Sequence, residues 1–125
     1  YAWDTAIAFI QKTNSDYGSS SKEGNYFDTT VTYTGIADTE KNKQTKANRT
    51  STLIPTGQTT AVNNIYDMGG NVWEWTTEYY SDPSYRYIDR GGGYGFGFAN
   101  DPAGVRSTCS DVAYDFIGFR CTLYL

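Results

Sequence analysis

Asp67-Met68-Gly69-Gly70-Asn71-Val72-Trp73-Glu74-Trp75-Thr76 is the stretch on which the reading of the fold turns. Gly69-Gly70-Asn71 is a turn signal. The residues after it alternate as a strand does, with Val72, Glu74 and Thr76 on one face and both indoles on the other. Two tryptophans on one face predict a buried sheet surface, so Trp73 and Trp75 are expected in the core. Downstream come a polar turn at Ser81-Asp82-Pro83, a short strand from Tyr85 to Arg90, a glycine cluster over 90–98, and two strands, Gly104 to Cys109 and Phe116 to Leu123. Upstream, residues 2–11 place Trp3, Ala6, Ile7 and Ile10 at helical spacing and predict a helix with one inward stripe. From Lys12 to Thr60 the composition turns to Thr, Ser, Asn, Lys and Gly with only short apolar islands. That predicts a long meander with little regular structure, which only a fold tolerant of long ordered loops accommodates.

The chain has 125 residues, enough for one domain and too few for a second independent one. With 13 glycines and 12 tyrosines against three prolines, it turns often and carries many large rings. A formal charge of −4 gives no reason to approach nucleic acid or an anionic membrane. No apolar run nears the roughly 20 residues of a membrane span, so no membrane insertion is expected. The first residue is Tyr1 rather than Met, which reads as the C-terminal part of a longer chain whose localisation signals lie elsewhere. Cys109 and Cys121 fall in two strand-like segments; they form either a disulfide, if adjacent strands bring their α-carbons within about 7 Å, or two separate thiols.

Three blocks in order, DMGGNVWEWT (67–76), DRGGGYG (89–95) and IGFRC (117–121), resemble the C-terminal half of the formylglycine-generating enzyme (sulfatase-modifying factor) superfamily. The resemblance is best from Ile65 to Arg120 and weaker at the opening helix and over 24–29. It implies a C-type-lectin-like fold for 1–125 as a single α+β domain: a small twisted antiparallel sheet with a helix and long irregular loops. Variable proteins of diversity-generating retroelements resemble the chain at least as closely. They present a ligand-binding surface between the R-G-G block and the final G-F-R, on a phage virion or a bacterial surface.

The enzymes of this superfamily bind copper through two cysteines, one soon after the R-G-G block and one five residues on, and oxidise a substrate cysteine. Here one cysteine, Cys109, follows that block and the other, Cys121, follows the G-F-R arginine. Copper(I) needs paired soft thiolates, so the expectation is no catalytic residue and no enzyme; the alternative is a copper oxidase of the formylglycine-generating type. The sequence contains no histidine, which excludes histidine-ligated iron and any nucleophile that uses histidine as base. Members of the superfamily also carry calcium near the G-N-x-W-E-W block. The matching positions are Asn71 and Glu74, two ligands where calcium takes six or more.

What remains is binding. Tyr94, Phe96, Phe98, Asn100, Asp101, Ser107, Ser110, Asp111, Tyr114 and Asp115 mix rings with small polar residues between glycines, the composition of surfaces that grip a partner. Phe96 and Phe98 also suit a loop-anchoring role. The expected partner is a protein or carbohydrate on a cell surface, met outside the cell and within a larger assembly. Arg90 and Arg120 are assigned to structure, tying Glu74 or loop carbonyls across the sheet.

Overall fold

The stripe of Trp3, Ile7 and Ile10 forms the buried face of α1 (Ala2–Ile10), and Asp4 in its first turn suits the positive end of the helix dipole. The structure is a computed structural model that describes residues 2–19, 22–34 and 43–121. Among these, no helix is long and apolar enough to cross a membrane. The helix packs with Tyr17, Met68 and Ala103 into one core cluster, joined by half-buried Ala6, Val62 and Ile65. The Trp3 indole N–H, buried with its ring, donates to the Ala103 carbonyl at 2.8 Å, so the largest core side chain leaves no polar atom unpaired.

Two sheets complete the α+β architecture expected. The first pairs β1 (Val31–Thr34) with β2 (Lys43–Lys46), antiparallel. It is the regular structure described within the Lys12 to Thr60 meander, where the sequence predicts little. Its strands are threonine-rich and, apart from buried Lys46, exposed or half-buried, so pairing is made by the backbone and by Thr32–Thr45 and Tyr33–Gln44 side-chain contacts rather than by a buried apolar face. Residues 35–42, part of the same meander, lie outside the described residues.

The second sheet holds β3 (Trp73–Tyr79), β4 (Tyr87–Arg90), β5 (Arg106–Cys109) and β6 (Ile117–Phe119) in the order β5-β4-β3-β6. β3, β4 and β5 are antiparallel neighbours, but β6 runs parallel to β3, a departure from the uniformly antiparallel sheet expected. The cause is the 110–116 connection, which carries the chain from one edge of the sheet to the other and back to the end where β3 begins. Residues 122 and 123, expected at the end of the last strand, lie outside the described residues.

Register sorts the side chains onto two faces. Glu74, Arg90 and Arg106 are opposite one another and face α1, whose Asp4 binds both arginines, to Arg90 at 2.6 Å and Arg106 at 3.1 Å. Phe119, Trp75, Asp89 and Ser107 form the facing row on the other side, with Trp73, Ile117, Tyr87 and Cys109 sharing their parity. Trp73 is buried at 4% exposure, as expected, but Trp75 is only half-buried. The core lies on the helix side around Trp3, so the second indole of the motif is left at the margin.

Candidate functional site

Tyr94 to Asp101 begin where the glycine run leaves β4. Gly91 and Gly92 both have positive φ, and a Cβ on Gly92 would collide with the Asp101 carbonyl, so this close pass of two backbone segments requires glycine. Gly93 lies against the indole of Trp73, where backbone and ring approach closely. The loop is then fixed at each step. The Tyr94 amide donates to the Asn71 carbonyl at 2.9 Å, the Phe96 carbonyl accepts from the Phe27 amide at 2.9 Å, and the Phe98 amide donates to Asp28 Oδ1 at 3.0 Å. Phe96 packs edge-on to Trp73 with ring centroids 5.9 Å apart, and Phe98 edge-on to Tyr26 at 6.4 Å. Both phenylalanines anchor the loop, and Phe96 still exposes part of its ring.

Ser107 lies on β5 beside Asp89, and Ser110 to Asp115 follow in the connection to β6. Tyr114 stacks on Phe116 at 4.9 Å and its hydroxyl lies 3.4 Å from Ser110 Oγ. Because the Phe116 carbonyl accepts from the Trp73 amide, the series Tyr114, Phe116, Trp73, Phe96 joins the two candidate segments at the start of β3. Around this joint Asn100, Asp111, Tyr114 and Asp115 are exposed, while Tyr94, Phe98, Asp101, Ser107 and Ser110 are half-buried. Burial raises the Asp101 carboxyl above the ordinary aspartate range.

The sequence reading missed the row beside this joint. Trp75 packs edge-on to Tyr87 at 5.6 Å, and Phe119, opposite Trp75 on β6, is 78% exposed. Tyr79, Tyr80 and Tyr85 extend the exposed rings to the tip of the β3–β4 hairpin. The signal was parity: Tyr87 shares it with Asp89, and Phe119 with Ile117, but only the register of β6 brings the two rows together.

In the same row, opposite Trp75, lies Asp89, buried at 4% exposure with Oδ1 lacking a hydrogen-bond partner. Burial raises its pKa; its own backbone and the Ser107 and Cys109 side chains pull it partly back. Burial, and then the neighbouring Asp89, push the Cys109 thiol up to about 11.

Two cofactors implied by the resemblance can be checked against these positions. Cys109 and Cys121 are free thiols on segments at opposite edges of the four-stranded sheet, three strand spacings or about 14 Å apart. That separation selects separate thiols over a disulfide, and the pair does not fit a shared copper ion. Asn71 Oδ1 accepts from Asn25 Nδ2 at 2.9 Å and from the Ile54 amide at 3.1 Å, while its Nδ2 donates to the Ile54 carbonyl. Glu74 receives both Nε and Nη2 of Arg120, at 2.9 and 2.8 Å. With their oxygens turned to protein donors, Asn71 and Glu74 do not fit a calcium ion, and among the described residues no three His, Cys, Asp or Glu side chains gather as a metal cluster.

Arg120 also donates to the Asp67 carbonyl at 2.9 Å, so it ties the first and last blocks as expected. Arg90 does not bond Glu74: although the two are cross-strand neighbours, Arg120 occupies the Glu74 carboxylate and Arg90 turns to Asp4. Burial raises the Glu74 pKa against the lowering effect of Arg120.

None of the curated proteins and none of the solved structures matches the chain. The family model of the sulfatase-modifying factor enzyme 1-like domain matches residues 3–124, nearly the whole sequence, and the chain belongs to that family.

Proposed function

We propose that the chain is a non-catalytic ligand-binding domain that grips a protein or carbohydrate partner on a cell surface, as the variable proteins of diversity-generating retroelements do. The observation that carries this reading is the joint at Trp73. Two segments with exposed rings and small polar groups meet at one buried residue, Phe96 of the first packing on the Trp73 indole and the Phe116 carbonyl of the second accepting the Trp73 amide, so their contact area is offered with little ordering left to do on binding. Phe96, Tyr114, Asn100, Asp111 and Asp115 form the contact surface, and Trp75, Tyr87 and Phe119 extend it. The thiol arrangement supports the same reading, since it leaves copper without its pair of ligands.

The test is a parallel screen of the domain on a glycan array and a displayed peptide library, followed by alanine at Tyr114 and Asp115. The expected outcome is a ligand from one of the two screens whose affinity falls at least tenfold in either variant, about 1.4 kcal/mol, with the melting temperature almost unchanged. Ligands that bind the variants as well as the parent would remove the surface from the account.

A further inference from the structure

Lys46, the last residue of β2, is buried at 3% exposure, an unusual place for a lysine. Its Nζ donates to the carbonyls of Tyr26 at 2.6 Å, Thr29 at 2.7 Å and Thr50 at 3.1 Å, with the Ala47 carbonyl at 3.5 Å. An ammonium has three N–H donors, and three carbonyls within 3.1 Å take them one for one. All four oxygens come from two turns, 26–29 and 47–50, whose carbonyl dipoles converge on one point. The Tyr26 and Ala47 carbonyls also accept from the Thr29 and Thr50 hydroxyls, whereas Lys46 supplies the donor to the Thr29 and Thr50 carbonyls. A cluster of converging carbonyl dipoles favours positive charge, and a buried carbonyl left without a partner costs about 1–3 kcal/mol. Burial lowers the Lys46 pKa, and the charge of Asp28 acts against it in favour of the ammonium.

We propose that this cage is a cation site in which the chain supplies its own cation: the Lys46 ammonium sits where a small hard metal ion or free ammonium would otherwise be held by the same carbonyl oxygens. Oxygen-only coordination from backbone turns is the chemistry of such ions, and a tethered ammonium removes the need to capture one from solution. The inference stands apart from the ligand-binding reading, since it concerns what holds the turns and not what the surface meets. Its structural consequence reaches that surface all the same. The 26–29 turn receives the Phe98 amide on Asp28, sends the Phe27 amide to the Phe96 carbonyl, and packs Tyr26 on Phe98. The Arg49 amide, at a positive φ, closes the second turn onto the Phe27 carbonyl at 2.7 Å.

Lys46→Ala empties the cage and leaves room for an ion. Thermal unfolding of this variant is measured in ammonium, potassium or calcium chloride, with tetramethylammonium chloride at equal ionic strength as the control and the parent domain alongside. The expected result is a loss in melting temperature on the order of 10 °C, at least half of it recovered in a saturable way by one of the small cations and none of it by tetramethylammonium, with the parent insensitive to all of them. A variant that melts with the parent overturns the proposal, as does recovery that is equal in tetramethylammonium or absent in every salt. Should the variant fail to fold, the unaltered domain labelled with 15N-lysine decides: one protected, slowly exchanging ζ-ammonium resonance, missing from Lys46→Arg, is expected. A neutral amine signal, or uniformly fast exchange of every lysine ammonium, refutes it.

Discussion

Asp89 sits on β4 between Trp75 and Ser107, with one carboxylate oxygen buried and unpartnered. Because its pKa is raised in the folded state, the folded protein holds that proton more tightly than the unfolded chain does. Its contribution to stability is therefore fully present below the ordinary aspartate pKa and is lost as pH rises through the raised value. Asp89→Asn should flatten that part of the curve: urea unfolding across the acid range above the ordinary aspartate pKa should show the parent losing stability with rising pH relative to the variant. Parallel curves would contradict the assignment. The thiols give a second expectation at this scale. Exposed Cys121 should react with iodoacetamide at mildly alkaline pH well before Cys109, which burial and Asp89 hold as a thiol up to about 11. Mass spectrometry of the digest reads the order; a Cys109–Cys121 disulfide in the purified domain would refute the sheet order.

At the scale of elements, the two indoles of β3 separate by role. Trp73 is buried, carries Phe96 and Gly93, and connects to Phe116 through its amide. Trp73→Ala should cost about 3–5 kcal/mol, whereas Trp75→Ala, at a half-buried ring, should cost about 1–2 kcal/mol. Chemical denaturation of both variants checks the ranking, and equal losses would contradict it. The alternation of Val72 to Thr76 made the strand and its two faces legible, and the stripe of α1 made the helix legible, because both periods are local. What lay beyond the sequence was which face each partner covers. The helix took the Glu74 face through Asp4, Arg90 and Arg106, so Glu74 and Arg90 went inward with a partner each and Trp75 was left at the margin. The β1–β2 hairpin escaped for a different reason: β1 alternates Val31 and Tyr33 with threonines over only four residues, and β2 carries no apolar residue.

For the whole molecule, three blocks distant in sequence are drawn together by polar ties. Arg120 bonds Glu74 and the Asp67 carbonyl, the Tyr94 amide bonds the Asn71 carbonyl, and the Gly70 amide bonds the Gly91 carbonyl, while Lys46 gathers the turns behind the 94–98 loop. The family frame was legible because those blocks keep their order and spacing. Half of the candidate surface was legible too, as a ring-rich, glycine-rich composition. The Trp75–Tyr87–Phe119 row was not, since it depends on the parallel placement of β6. The same placement keeps Cys121 and Cys109 on opposite edges of the sheet, and on it rests the proposal that the domain binds rather than oxidises. The most direct measurement is incubation of the domain with copper, oxygen and a sulfatase-type cysteine peptide, with formylglycine read by mass spectrometry. No conversion above a protein-free control is expected, in the parent or in Cys109→Ser and Cys121→Ser. Conversion by the parent that disappears in either variant would contradict the account.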